Sequence, residues 1–174
     1  MKKKEQPFEY ILNVHTFNAT DNPTKKEIKR EERWARDRVE KGYCQYDLGD
    51  IDLWFMAVIT NMLRDFRDHH SGWPNEAQQQ EYLENKEKYP LLRDIDELHY
   101  GEDEEIDKQL EALEENSNAR WNAILTEMAD KFEALYQLRE RESELPYQEY
   151  AAKRQEATDA AFDLFKKWFH CLWN

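Results

Sequence analysis

The residues best suited to chemistry are carboxylates, whose most ordered uses would be to hold a divalent cation or to oppose a basic surface. Asp65 and His69 stand four apart, so on a helix they share a face that could hold one cation. At the same helix end His69 and His70 also complement the negative pole of the backbone dipole, which needs no metal. Asp96-x-x-His99 occurs once, whereas a di-iron bundle needs Glu-x-x-His on two helices and a Glu on two others. Nucleophilic chemistry has two candidates, Cys44 and Cys171. His170 precedes Cys171, but neighbours on a helix point to different faces, so His170 is not simply its base and Cys171 reads as core. Two isolated cysteines make neither a disulfide framework nor a cysteine-rich zinc site, and a reducing cytoplasm is the default. Glycines at 42, 49, 72 and 101 are too scattered for a phosphate loop. No catalytic residue, metal or cofactor is expected. Trp73, in the loop Gly72-Trp73-Pro74, is either a lid on the core or a contact for a partner.

Charge carries more information than any motif. The 174 residues hold 25 basic and 38 acidic groups, 25 − 38 = -13. Residues 1–41 carry 11 basic against 8 acidic groups, whereas 101–145 carry 5 against 14. The acid is densest over 101–115, where Glu102, Asp103, Glu104, Glu105, Asp107, Glu111, Glu114 and Glu115 face the single base Lys108. A phosphate-backbone binder needs the opposite sign, so no direct nucleic-acid binding is expected through this surface. Its partners would be basic: the groove of a nucleic-acid-binding protein, or divalent cations. The competing use of such a face is solubility alone. The basic residues of the first helical segment, Lys29, Arg30, Arg33, Arg36 and Arg38 around Trp34, read as partners of Glu27, Glu31, Glu32, Asp37 and Glu40 at helical spacing.

Four Gly, five Pro and three Val in 174 residues favour helices over sheets, and 40% hydrophobic residues suffice for a core. No apolar run approaches the roughly 18 residues of a membrane span, so no membrane partner is expected. Residues 8–16 alternate as a strand does, within an extended arm over 1–23. Thr24 and Glu27 form a capping box that starts a helix, Gly42 ends it, and its few apolar positions put it on the surface. Residues 51–69 are a helix, apolar nearly all round in its first half and therefore central. Residues 75–118 form an acidic helical insertion: a polar helix anchored by Ala77, Tyr82 and Leu83, a short piece carrying Leu91, Leu92, Ile95 and Leu98, and a stripe of Ile106, Leu110 and Leu113. Asn116-Ser117-Asn118 marks a break or a kink. Trp121, Ile124, Leu125, Met128, Phe132, Leu135 and Leu138 then open a C-terminal hairpin over 119–174, whose last helix starts at Pro146 and buries Tyr147, Tyr150, Ala151, Ala157, Ala161, Leu164, Phe165, Trp168, Cys171 and Leu172. The expected fold is a single all-α domain: an antiparallel helical bundle with the acidic insertion and the short extended N-terminal arm.

Two resemblances bear on function. Glu111-x-x-Glu114, twelve residues, then Glu127-x-x-Asp130 resembles the ExxE…ExxD signature of all-α nucleoside-triphosphate pyrophosphatases, which implies facing helices with magnesium on a triphosphate. Facing would require a turn near residues 120–121, where the strongest apolar stripe begins. Gly42-Tyr43-Cys44-Gln45-Tyr46-Asp47-Leu48-Gly49-Asp50-Ile51-Asp52-Leu53-Trp54-Phe55, with Met62-Leu63-Arg64, Gly72-Trp73-Pro74, the block from Trp121 to Phe132 and the C-terminal Phe165, Phe169, Leu172 and Trp173, resembles a functionally uncharacterised family of small helical proteins of tailed phages and prophages. That resemblance implies a phage or mobile-element protein in the bacterial host's cytoplasm. The expectation is then a non-enzymatic protein that binds, an acidic nucleic-acid mimic inhibiting a host defence nuclease of the CRISPR or restriction type. The alternatives are a phage accessory or structural protein whose acidity gives solubility, and a magnesium-dependent pyrophosphatase-like enzyme or nucleotide sponge.

Overall fold

A computed structural model describes residues 24–92, 101 and 103–173. The expected arm over 1–23, its strand period, Ile95, Leu98, His99 and Glu102 lie outside the described residues. What is described is an all-α helical bundle with no strand among the described residues: α1 Lys25–Lys41, α2 Ile51–His69, α3 Asn75–Glu84, α4 Glu104–Glu140 and α5 Tyr147–Trp168. Short 3₁₀ turns lie at Asp47–Gly49, Lys86–Lys88, Glu142–Glu144 and Phe169–Cys171. No helix among the described residues is long and apolar enough to cross a membrane. The chain divides into two compact units, one drawing on residues 24–62 and 132–158, the other on 63–131 and 159–173.

In the first unit α1 is surface throughout, with no buried residue, as its sparse apolar pattern predicts. Its N-terminus is the expected capping box: Thr24 N–H donates to Glu27 Oε2 at 2.6 Å and Glu27 N–H to Thr24 Oγ1 at 3.3 Å. Gly42 ends it at φ 79°, a left-handed conformation that glycine adopts without Cβ strain. The 3₁₀ turn that follows returns Asp47 to Arg38, while Tyr46 packs on Trp34 at 5.5 Å between ring centroids. Phe55 of α2 meets Phe132 of α4 edge to face at 5.8 Å. Contrary to expectation, the first half of α2 is not buried all round. Met56, Ala57 and Thr60 are buried, Leu53, Trp54, Phe55, Val58 and Ile59 are half-buried, and Ile51 and Met62 are more than half exposed. Among the described residues α1 offers α2 no buried face, and the ring contact on this half of α2 comes from Phe132 of α4.

In the second unit α2 and α4 run antiparallel, as three pairs show. Arg64 reaches Asp130 at 3.3 Å, Arg67 reaches Thr126 at 3.3 Å and His70 Nε2 lies 2.8 Å from Asn122. Three-residue steps forward on one helix meet four-residue steps backward on the other. α4 passes through Asn116-Ser117-Asn118 as one continuous helix, so the break that the sequence suggests there is corrected. Ile106, Leu110, Leu113, Ser117, Trp121, Leu125 and Met128 follow each other at three- and four-residue steps, and Ser117 is simply the polar member of the stripe. It is fully buried, and its hydroxyl donates to the Leu113 carbonyl at 2.6 Å. The boundary expected between 118 and 119 therefore falls inside one helix. The acidic part of α4 is held by Leu110 and Leu113 packing on Tyr89 and Leu92, with Tyr82 and Ile106 at the margin. In α5, Ala161, Trp168 and the following Cys171 are buried as expected, Trp168 lying 5.5 Å from Trp121. Tyr147 and Ala151, placed on the inner face by spacing, are exposed, and Tyr150 is the first buried residue of α5.

Candidate functional site

α4 puts the predicted acidic residues on a helix, as the narrow apolar stripe requires, and sorts them into three kinds. Asp103 caps the helix, its Oδ1 accepting from the N–H groups of Glu105 at 2.8 Å and Ile106 at 3.3 Å. Asp107 accepts the Gly101 N–H at 2.9 and 3.1 Å, fixing the chain's entry into the helix. These two carboxylates serve the fold. Glu104 and Glu105 are exposed and share Lys108, at 3.0 and 3.2 Å, which raises the lysine's pKa. Glu111 and Glu115 are exposed and Glu114 half-buried, and none of the three has an ion pair among the described residues. The face available to a partner is thus Glu104, Glu105, Glu111 and Glu115, with Glu114 at its edge.

The acidic pairs that resemble a magnesium signature do not assemble. Glu111, Glu114, Glu127 and Asp130 lie on one continuous helix, where nineteen residue steps put the ends about 28 Å apart along the axis. Asp130 pairs with Arg64 at 3.3 Å and Glu127 with Lys131 at 3.3 Å. Asp65 and His69 do not converge either. His69 Nδ1 lies 2.7 Å from the Asp65 main-chain carbonyl, so the imidazole is turned to the backbone of the last turn of α2 and not to the Asp65 carboxylate. A groove of about 400 Å³ on α4 contains Arg120 and Lys88, the type of cations a nucleotide sponge would use. Both are committed to buried Glu81, Arg120 at 2.8 Å and Lys88 at 3.9 Å.

A second constellation forms where α3 begins and the chain leaves α5. Glu76, in the first turn of α3, stands between His170 and Cys171 of the last 3₁₀ turn. His170 Nε2 lies 3.2 Å from Oε1, and the Cys171 thiol donates to Oε2 at 3.8 Å. The three donor atoms lie within 4.8 Å of one another. Glu76 and His170 are exposed and Cys171 is buried. Glu76 is held below the usual carboxylate range, first by its own backbone N–H and, against a smaller effect of burial, by His170. Burial, and then the charge of Glu76, push the Cys171 thiol up to about 11. On its other flank Cys171 helps to wall a cavity of about 110 Å³, together with Gly72, Trp73, Pro74, Trp121 and Trp173. Trp73 is accordingly half-buried, a wall of this cavity.

Glu76 is the residue that sequence reasoning missed. Neighbours at 170 and 171 do point to different sides, but a carboxylate between those sides offers one oxygen to each. The visible signals were an acidic residue in a first helical turn and a His-Cys pair at a helix end, 94 residues apart. Compared with protein-family profiles, with curated proteins and with solved structures, the chain gives no match.

Proposed function

We propose that the protein acts by binding, presenting the first third of α4 to a basic protein surface that otherwise holds nucleic-acid phosphates. The observation that supports this reading is the spacing of charge along that helix. From Asp103 to Glu115 there are seven carboxylates and one lysine, net 1 − 7 = -6. Twelve helical rises span about 18 Å, a length over which one DNA strand carries about five phosphates. The apolar stripe beneath holds the backbone of this line of charge in place, so binding must order only the exposed carboxylate side chains. The resemblance to small proteins of tailed phages and prophages would make the partner a host nucleic-acid-binding defence protein, such as a CRISPR effector or restriction enzyme, and this protein its cytoplasmic inhibitor.

The test is capture from bacterial lysate at low and high salt, followed by competition with duplex DNA. Support requires that the captured protein itself bind nucleic acid, release with salt, and be displaced by DNA. Reversing Glu104, Glu105, Glu111 and Glu115 to Lys should abolish capture and leave the helical circular dichroism intact, since Asp103 and Asp107, which hold the backbone, are spared. Capture unchanged by those reversals would exclude the face as the binding surface.

A further inference from the structure

The constellation at the end of α5 carries a reading separate from the acidic face. Its donor set is a thiol, an imidazole and a carboxylate. Such a mixture is poorly suited to magnesium or calcium, which take oxygen ligands, and well suited to zinc, whose sites combine all three. Zinc bonds of about 2.0–2.1 Å to nitrogen, about 2.0–2.2 Å to oxygen and about 2.3 Å to sulfur, at tetrahedral angles, place N and O about 3.4 Å apart and S and O about 3.6 Å apart. In the structure His170 Nε2 lies 3.2 Å from Glu76 Oε1 and Cys171 Sγ 3.8 Å from Oε2, so the carboxylate turns one oxygen to each neighbour. One carboxylate oxygen, the imidazole nitrogen and the thiol sulfur lie within 4.8 Å of one another, and side-chain movements of about 1 Å by the exposed Glu76 and His170 bring them to those tetrahedral separations.

We propose that Glu76, His170 and Cys171 form a three-ligand zinc(II) site that fastens the C-terminal turn to the first turn of α3. On binding, zinc replaces the thiol proton, which leaves to solvent, and takes lone pairs from the neutral imidazole Nε2 and the carboxylate. A fourth position remains for water or a small anionic ligand. Cys171 also walls the cavity containing Trp73, Trp121 and Trp173, so the metal reports directly to those indoles. The ion would join positions 94 and 95 residues apart in sequence.

The test uses the full chain, reduced and stripped with a chelator, titrated with cobalt(II) and then zinc(II). One equivalent of cobalt should produce a thiolate-to-cobalt charge-transfer band and the intense visible bands of a tetrahedral ion, quench tryptophan emission, and be displaced by one equivalent of zinc. Cys171→Ser should abolish the charge-transfer band, whereas Cys44→Ser should keep it. Glu76→Gln and His170→Ala should each weaken zinc binding at least ~10-fold, a loss typical of perturbed metal sites. His170 and Glu76 are exposed, so their variants keep the fold, and circular dichroism would verify this. Absence of the band at micromolar metal, or a band that survives Cys171→Ser, would overturn the site. The variant with the acidic face reversed should bind zinc as the parent does, so the two proposals fail independently.

Discussion

Asp47 is clasped by Arg38 across the turn after α1, with Nη2 at 2.5 Å from Oδ1 and Nε at 3.0 Å from Oδ2, while the Cys44 N–H reaches the same carboxylate at 2.7 Å. This explains the form of the sequence Cys44-Gln45-Tyr46-Asp47, in which a buried acid three residues on satisfies the backbone of a tight turn. Asp47→Ala removes both partnerships inside the first unit and should cost about 3 kcal/mol, in the range for a broken buried pair. Asp47→Asn, which keeps one acceptor, should cost about half that in urea unfolding. Equal losses in the two variants would mean that shape, and not hydrogen bonding, holds the turn.

The same carboxylate makes a prediction about acid. Burial works to raise its pKa, but the hydrogen bonds from Arg38 and Cys44 and the charge of Arg38 outweigh burial and lower it. A depressed carboxylate stabilises the fold fully above its unfolded value, about 3.9, and that contribution is lost as pH falls through the folded-state value below it. Comparing urea midpoints of the parent and Asp47→Asn, the gap should be constant from pH 7 to about pH 5 and close at lower pH. A gap that stays open in acid would contradict the assignment.

Burial should decide which of the two acids on Arg120 matters. Glu81 is buried and accepts from Arg120 at 2.9 Å, Asn85 at 3.0 Å and Tyr89 at 3.2 Å, whereas Glu84 is exposed. Glu81→Ala should destabilise by about 3 kcal/mol because it strands several donors at once. Glu84→Ala should leave the thermal midpoint nearly unchanged, since water screens its pairing. Comparable effects of the two would contradict this ranking.

Continuity of α4 can be tested at its least helix-like point. Ser117→Ala should be neutral or stabilise by about 0.5 kcal/mol, as alanine is the better helix former and the hydroxyl serves only the Leu113 carbonyl. Asn116→Ala should instead cost about 1 kcal/mol, because its amide donates to Tyr89 Oη at 2.8 Å. If Ser117→Ala were strongly destabilising, a break there would be the better description.

A magnesium-dependent nucleotide hydrolase built on Glu111, Glu114, Glu127 and Asp130 is disfavoured by their placement on one helix. Glu111→Gln and Asp130→Asn should therefore leave any nucleoside-triphosphate turnover of the purified chain unaltered. The Asp130 change should be felt only through loss of its bond to Arg64. Turnover that falls with both substitutions would restore the enzyme reading.

Local signals were legible where one segment decides its own structure. The capping box at Thr24 and Glu27, the stop at Gly42 and the end of α2 at His69 all follow from residues within a turn of each other. Ser117 was misread because its type favours turns, while its spacing from Leu113 and Trp121, the stronger signal, continued the stripe. The exposure of Ile51 and Met62 depends on which other segments cover α2, which hydropathy does not encode. The acidic face was visible as composition, but the roles of Asp103 and Asp107 depended on which N–H groups the helix start leaves open. Glu76 was out of reach because its partners are supplied by folding.

The division of the chain has a consequence for its biosynthesis. One unit needs residues 24–62 together with 132–158, the other 63–131 together with 159–173, so the segments are interleaved in translation order. No unit can close before residue 158 emerges from the ribosome. Pairings such as Arg64 with Asp130 and Glu76 with His170 span 66 and 94 residues. Although every element among the described residues is a helix, the topology has the long-range connectivity of slower folders. The nascent chain must therefore carry the apolar stripes of α2 and α4 without all their partners until the last segments emerge, a period in which chaperones and proteases compete for it.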